Sequence, residues 1–293
     1  MKNFKNSISI NENIIKILNP ESFQYKIIDF HSHFNGNPKI HLNYLIKFNI
    51  KAICIMPSFK ILEFVDFGKF YYNDFNKPED YLERLKKLKA IFHENNSIGW
   101  KGNIFIFLPI IFNKKVTEFE ELIINFKPAG LKLHPLQNFK IDKKILDPWF
   151  NLAKKYDLIV YIHTDWVPST EWKKNKNLMA ETFGKIAELY PNVKIIMGHA
   201  GSNDSYLNVW KYVKKYKNVF VETSLSPTPQ ELEKVVYKAD ETRLLFGSDY
   251  PFSKIEGEIM KIYKMRRISQ EQKEAIFYDN ALKLLKSQPY IEI

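Results

Sequence analysis

Short apolar runs alternate with longer amphipathic segments along most of the chain. The runs at 26–30, 51–56, 103–110, 129–133, 158–162, 193–198, 218–221 and 243–247 are rich in Ile, Val and Phe. Their length and continuous apolarity suit strands buried on both faces. Between them apolar residues recur at helical spacing. Tyr81, Leu82, Leu85, Leu88 and Ile91 do so within 81–93, and 146–156, 182–190, 206–215 and 229–238 read alike. One more helix is expected over 269–286, with Ser269 as its N-cap. Eight strands, most followed by a helical segment, predict an α/β fold of the (β/α)8 TIM-barrel type, a closed parallel barrel inside a ring of helices. Turn-forming joints such as Pro128-Ala129-Gly130 and Tyr190-Pro191-Asn192 fit that alternation. The competing architecture is an open doubly wound sheet with a glycine-rich first turn, but neither G-x-G-x-x-G nor G-x-x-x-x-G-K-[ST] occurs. No linker divides the chain, so 1–293 reads as a single barrel domain with an N-terminal extension at 1–25. The aromatic connection 58–80 is open to three readings: a lid, a subunit contact, or a loop packing its own aromatics.

Charge changes this picture little. The chain carries 44 Lys+Arg against 33 Asp+Glu, a net +11, but only Arg84, Arg243, Arg266 and Arg267 are arginines. Arginine is the preferred reader of phosphates and bases. Scattered lysines describe a solvated surface, and no nucleic-acid partner is expected. Cys54 is the single cysteine, which excludes an internal disulfide and a cysteine-only metal cluster. It lies in the second predicted strand and reads as a small buried hydrophobe. The first residues lack the continuous apolar core of a signal peptide. The longest strongly apolar stretch, 104–112, is about half the ~20 residues a membrane span requires. A cytoplasmic protein without a membrane partner is expected, and its oligomeric state, a homo-oligomer included, is left open.

The chemistry gathers at the ends of the predicted strands, where barrels of this type collect their catalytic groups. The first strand ends in Asp29-Phe30-His31-Ser32-His33, the fourth in Lys132-Leu133-His134 and the fifth in His163-Thr164-Asp165. The sixth ends in Gly198-His199-Ala200-Gly201 and the eighth in Gly247-Ser248-Asp249-Tyr250. Five of the seven histidines thus sit at strand ends, while His41 and His93 fall on predicted helices. Residues two apart on a strand share a face, so His31 and His33 project together. Imidazoles and a carboxylate suit Zn²⁺, Mn²⁺ or Fe²⁺, with Zn²⁺ the first expectation.

The ordered motifs F-H-S-H-F, G-L-K-L-H-P, I-H-T, G-H-A-G and G-S-D-Y-P-F resemble the amidohydrolase superfamily. More narrowly they resemble its amidohydrolase-2 branch of metal-dependent (β/α)8 hydrolases and decarboxylases, which includes aminocarboxymuconate-semialdehyde decarboxylase. The resemblance runs from about residue 27 to 285. It implies that His31, His33, His163 and Asp249 hold one divalent metal and that His199 stands beside it, touching bound water or substrate. Asp249 and His199 would be the catalytic pair, the first moving a proton and the second polarising a carbonyl. Binuclear relatives carry a carboxylated lysine where Lys132 stands, so Lys132 is either such a ligand for a second metal or an unmodified cationic anchor. His134 reads as a pocket residue, Asp165 and Trp166 as substrate contacts, and Glu222 as an acceptor that orients a ligating imidazole.

The leading expectation is a metal-dependent hydrolase that uses a metal-activated water on a small amide, lactone or ester. The alternative is non-oxidative decarboxylation of an unsaturated or aromatic acid. In either case the partner is a small molecule. A nuclease of the same superfamily would carry a glutamate where Lys132 stands, and a barrel that had lost catalysis would have no use for the full donor set.

Overall fold

The computed structural model describes residues 25–34, 38–58, 78–94, 100–137, 139–164, 180–201, 208–226, 228–289 and 291. Eight parallel strands follow one another in the order of the sequence: β1 (Ile27–Ser32), β2 (Ile50–Ile55), β3 (Asn103–Pro109), β4 (Gly130–Leu133), β5 (Ile159–Ile162), β6 (Ile195–Met197), β7 (Val219–Glu222) and β8 (Leu244–Leu245). The last seam is closed from β1 to the segment after β8. Phe30 N donates to Phe246 O at 2.9 Å and His33 N to Tyr250 O at 2.7 Å, with a parallel bridge between Ser32 and Tyr250. The molecule is a (β/α)8 barrel, and each apolar run of the sequence overlaps one of its strands.

Alternation along each strand separates two apolar layers. Ile28, Phe30, Ala52, Cys54, Phe105, Phe107, Ile159, Tyr161, Ile196 and Leu245 fill the barrel interior. Ile53, Ile106, Leu131, Val160, Ile195, Val221 and Leu244 face the helices. The period of two sends successive side chains to opposite layers, both of them dry.

The helices are α1 (Pro38–Lys47), α2 (Pro78–Glu94), α3 (Val116–Phe126), α4 (Lys143–Lys155), α5 (Ala180–Leu189), α6 (Val209–Lys215), α7 (Pro229–Lys238) and α8 (Ile255–Tyr263), with a C-terminal pair α9 (Gln270–Glu274) and α10 (Asn280–Lys286). Ser269 caps α9 through a capping box with Gln272. A π-helical turn, Ala275–Asp279, joins α9 to α10, so the expected 269–286 helix is continuous but wider in its middle. Ala281, Leu284 and Leu285 pack into the interior cluster. Gln288 Nε2 donates to Ala129 O at 2.6 Å and Asp157 O at 3.0 Å. Both carbonyls precede their strands, so this end of the chain seals the N-terminal face of the barrel and leaves the other face for chemistry. Periodicity in the sequence does not single out α1, α3 or α8. Most of the 58–80 connection lies outside the described residues. Among the described residues no helix is long and apolar enough to cross a membrane.

Candidate metal centre

Strand β1 is irregular between Asp29 and Ser32. Asp29 turns to Tyr44 and Ser248, while His31 reaches across the barrel to Glu222 on β7 and Tyr161 on β5. His31 Nδ1 lies 3.1 Å from Glu222 Oε2 and 2.7 Å from the Tyr161 hydroxyl, which itself donates to Glu222 Oε2 at 2.6 Å. A carboxylate only accepts, so His31 carries its proton on Nδ1 and presents a bare lone pair at Nε2. His33 Nδ1 lies 3.1 Å from the Met56 carbonyl and 3.0 Å from Ser58 Oγ. The carbonyl selects the same tautomer.

The two Nε2 atoms then stand 3.1 Å apart. Asp249 Oδ1 is 3.3 Å from His31 Nε2 and 3.2 Å from His33 Nε2. Two bare imidazole lone pairs and a carboxyl oxygen converge in a buried space, an arrangement whose mutual repulsion a cation at its centre would relieve. Donors bound at about 2.0–2.1 Å would be about 3.3 Å apart around a tetrahedral ion and about 3.0 Å apart at right angles around an octahedral one. The observed triangle fits a divalent metal.

A second grouping, His31, His199 and Glu222, is also compact. There the carboxylate is already engaged. Glu222 accepts from Tyr161, His31, Ser224 Oγ at 2.9 Å, His199 N at 3.3 Å and Ser224 N. These contacts place Glu222 to orient His31 and already occupy its oxygens.

His199 and His163 form the far side of the site. His199 Nδ1 is 2.9 Å from Ser224 Oγ, and its Nε2 is 3.1 Å from His163 Nδ1. His163 Nε2 is buried with no hydrogen-bond partner among the described residues. In this side-chain arrangement His163 stands outside the three-donor group and adjoins it through His199, whose ring centroid is 4.9 Å from that of His31. His134 stacks on His163 at 4.3 Å and 20°. Asp165 and Trp166 lie outside the described residues.

Lys132 is 1% exposed, and its Nζ has no hydrogen-bond partner among the described residues. It rests 3.7 Å from the centre of the Tyr161 ring. Burial pulls its ammonium down to about 7, against the opposing pull of Asp249 and Glu222. Burial, reinforced by the charge of Lys132, also holds His31, His134, His163 and His199 well below the usual imidazole range, so they remain neutral and able to ligate. Burial pushes the Asp249 carboxyl well above its usual range, with Lys132 acting the other way. His199 (φ 56°) and Asp249 (φ 54°) both adopt the left-handed backbone region, a local strain that concentrates at functional sites.

Tyr161 was not singled out from the sequence, although it lies two residues before His163 and so shares its face of β5. Two glycines make room for this network. A Cβ on Gly198 would lie 2.5 Å from the Tyr161 hydroxyl, and one on Gly247 would collide with Glu222. Phe252, 39% exposed, meets the His33 ring in a T-shaped contact with centroids 5.1 Å apart.

No curated protein matches the sequence. Among solved structures the chain is similar to 2,6-dihydroxybenzoate decarboxylase from Rhizobium, at 12% identity and a TM-score of 0.63 over 90% of this chain and 99% of that one. The same identity, TM-score and coverage relate it to 5-carboxyvanillate decarboxylase from Sphingomonas paucimobilis. The corresponding enzyme from Novosphingobium aromaticivorans, with bound manganese, is 16% identical with a TM-score of 0.59, over 86% of this chain and 81% of that one. At such identities the likeness establishes the fold. Residues 102–286, well over half of the chain, match the amidohydrolase family, and the chain belongs to that family.

Proposed function

We propose that this protein is a metal-dependent, non-oxidative decarboxylase of an aromatic or unsaturated carboxylic acid. A divalent metal is expected in its family. His31, His33 and Asp249 would hold the ion. When bound, the ion supplies Lewis acidity that neutralises and orients anionic oxygens of the substrate.

The observation that carries decarboxylation over hydrolysis is Lys132. A buried ammonium without a hydrogen-bond partner is costly, and a substrate carboxylate placed beside it would supply the missing acceptor and the opposite charge. A neutral amide, lactone or ester makes no such use of it. The similar decarboxylase structures support the same reading. Hydrolysis, the leading expectation from sequence, therefore gives way to its alternative.

In this reading Phe252 forms an apolar wall against the planar part of the acid, and the buried histidines keep the carboxylate out of bulk water. Asp249 takes a proton from solvent and passes it to the carbon that bears the carboxylate. The bond from that carbon to the carboxyl carbon then breaks. CO₂ leaves, hydrogen takes its place, and one proton is consumed per turnover. His199, held by Ser224, lies beside the departing group.

The test is to load the protein with Mn²⁺ or Zn²⁺ and present carboxyl-¹³C hydroxybenzoates and unsaturated acids, alongside a panel of lactones, esters and amides. Labelled CO₂ from an acid is expected. Turnover confined to the hydrolytic panel would overturn the proposal.

A further inference from the structure

Strand β8 is only two residues long, so the sheet ladder ends before Asp249. His31 lies on β1 and His33 just past its end, across the closing seam. The spacing of the three donors therefore depends on what ties the β8 loop to β1 beyond the ladder.

Asp29 makes that tie from a fully buried position. Its Oδ1 accepts from the backbone N–H of His31 at 3.2 Å and from that of Ser248 at 2.9 Å, so one oxygen grips both segments beside the donors. Its Oδ2 accepts from Ser248 Oγ at 2.6 Å and from the Tyr44 hydroxyl. The Tyr44 ring stacks on Tyr250 at 4.5 Å and 11°, bracing the residue after Asp249. Ser248 N and Asp249 N both return to His31 O, at 3.2 and 2.7 Å. Asp29 thus faces two backbone N–H groups, which only donate, and two hydroxyls, which can donate or accept. Asp249 needs such bracing because its left-handed backbone is held by its surroundings.

We propose that Asp29, with Tyr44 and Ser248, is a positioning unit that sets the distance between the His31–His33 pair and Asp249, and thereby the affinity of the metal centre. The inference rests on the metal-centre reading above. Asp29 acts through the backbones of His31 and Ser248. A purely structural role would lower stability and leave the affinity of the folded protein unchanged, whereas a positioning role changes that affinity.

The experiment is a Co²⁺ titration of the full chain, followed by d–d absorption, with far-UV circular dichroism confirming the fold of each variant. Asp29→Ala is expected to bind Co²⁺ about 10- to 100-fold more weakly than wild type, the usual loss when an outer-shell partner is removed. Asp29→Asn keeps the oxygen that grips both N–H groups and can donate to the two hydroxyls, so it should recover affinity to within about threefold of wild type. Wild-type affinity in folded Asp29→Ala overturns the inference, as does an Asp29→Asn variant that folds yet binds as weakly as Asp29→Ala. Should Asp29→Ala not fold, the Tyr44→Phe, Ser248→Ala double variant replaces it, with about tenfold weaker binding expected and unchanged affinity overturning the inference. A wild type that takes up no Co²⁺ overturns the metal-centre reading and this inference together.

Discussion

Glu222 Oε2 lies 3.1 Å from Nδ1 of His31, on the opposite edge of the imidazole from the atoms that meet His33 and Asp249. This contact places the His31 proton on Nδ1 and frees Nε2 for a metal. Glu222→Gln can present an amide N–H to the ring and disturb that tautomer. Metal affinity should fall about 10- to 100-fold, read by competition with a chromophoric chelator. Unchanged affinity would show that Glu222 does not orient the ligand.

Gly198 and Tyr161 are fitted to each other. The Tyr161 ring and hydroxyl occupy the space a Cβ on residue 198 would need. Gly198→Ala should therefore displace Tyr161 from Glu222 and destabilise the fold by about 1–3 kcal/mol, the usual cost of overpacking a dense core. Urea unfolding measures it, and a wild-type midpoint would contradict the fit.

The barrel was legible in the sequence because its strands are buried on both faces and read as unbroken apolar runs, a signal that survives even where β8 is reduced to Leu244–Leu245. Helix α3 was harder to see, since it buries only Phe119 and Ile123. Helix α8 carries Gly257 in its first turn. At the site, His31, His33, His163 and His199 stood out because imidazole at a strand end is chemically conspicuous. Asp29 and Tyr161 did not, because an acid or phenol inside an apolar run reads as an isolated polar residue, nor did Tyr44, which on α1 reads as one more apolar helix residue. Their partners, Ser248 and Glu222, lie about 220 and 60 positions away in sequence and are brought near only by closure of the barrel.

His41 gives a pH dependence of stability. It is fully buried among the rings of Phe34, Tyr44 and Tyr250, and neither ring nitrogen has a hydrogen-bond partner among the described residues. Burial pulls its pKa down to about 3. The unfolded chain takes up this proton below about 6.5 while the folded one refuses it until about 3, so stability is lost as pH falls through that window. His41→Leu removes the contribution. The stability of the variant relative to wild type should rise by about 2 kcal/mol between pH 7 and pH 5 in urea unfolding. A difference independent of pH would contradict the account.

Lys132 separates anchoring from folding. Lys132→Met keeps much of the volume of the side chain and removes a buried charge without a hydrogen-bond partner, so stability should hold or rise. The Michaelis constant for an acid substrate should increase at least about tenfold, the loss expected when a charge-assisted contact is removed. If a second metal bridged by a carboxylated Lys132 were present instead, metal content would drop from two equivalents to one in the variant, and bicarbonate would raise it in the wild type.

The central claim is that His31, His33 and Asp249 form a metal centre. The most direct measurement is the metal content of wild type and His33→Ala after equilibrium dialysis against Mn²⁺, with folding confirmed for both. Wild type should retain about one ion per chain, and His33→Ala less than about a tenth of that, because removing one of three first ligands leaves too few to hold the ion. Equal retention by the two proteins would contradict the account and place the metal elsewhere.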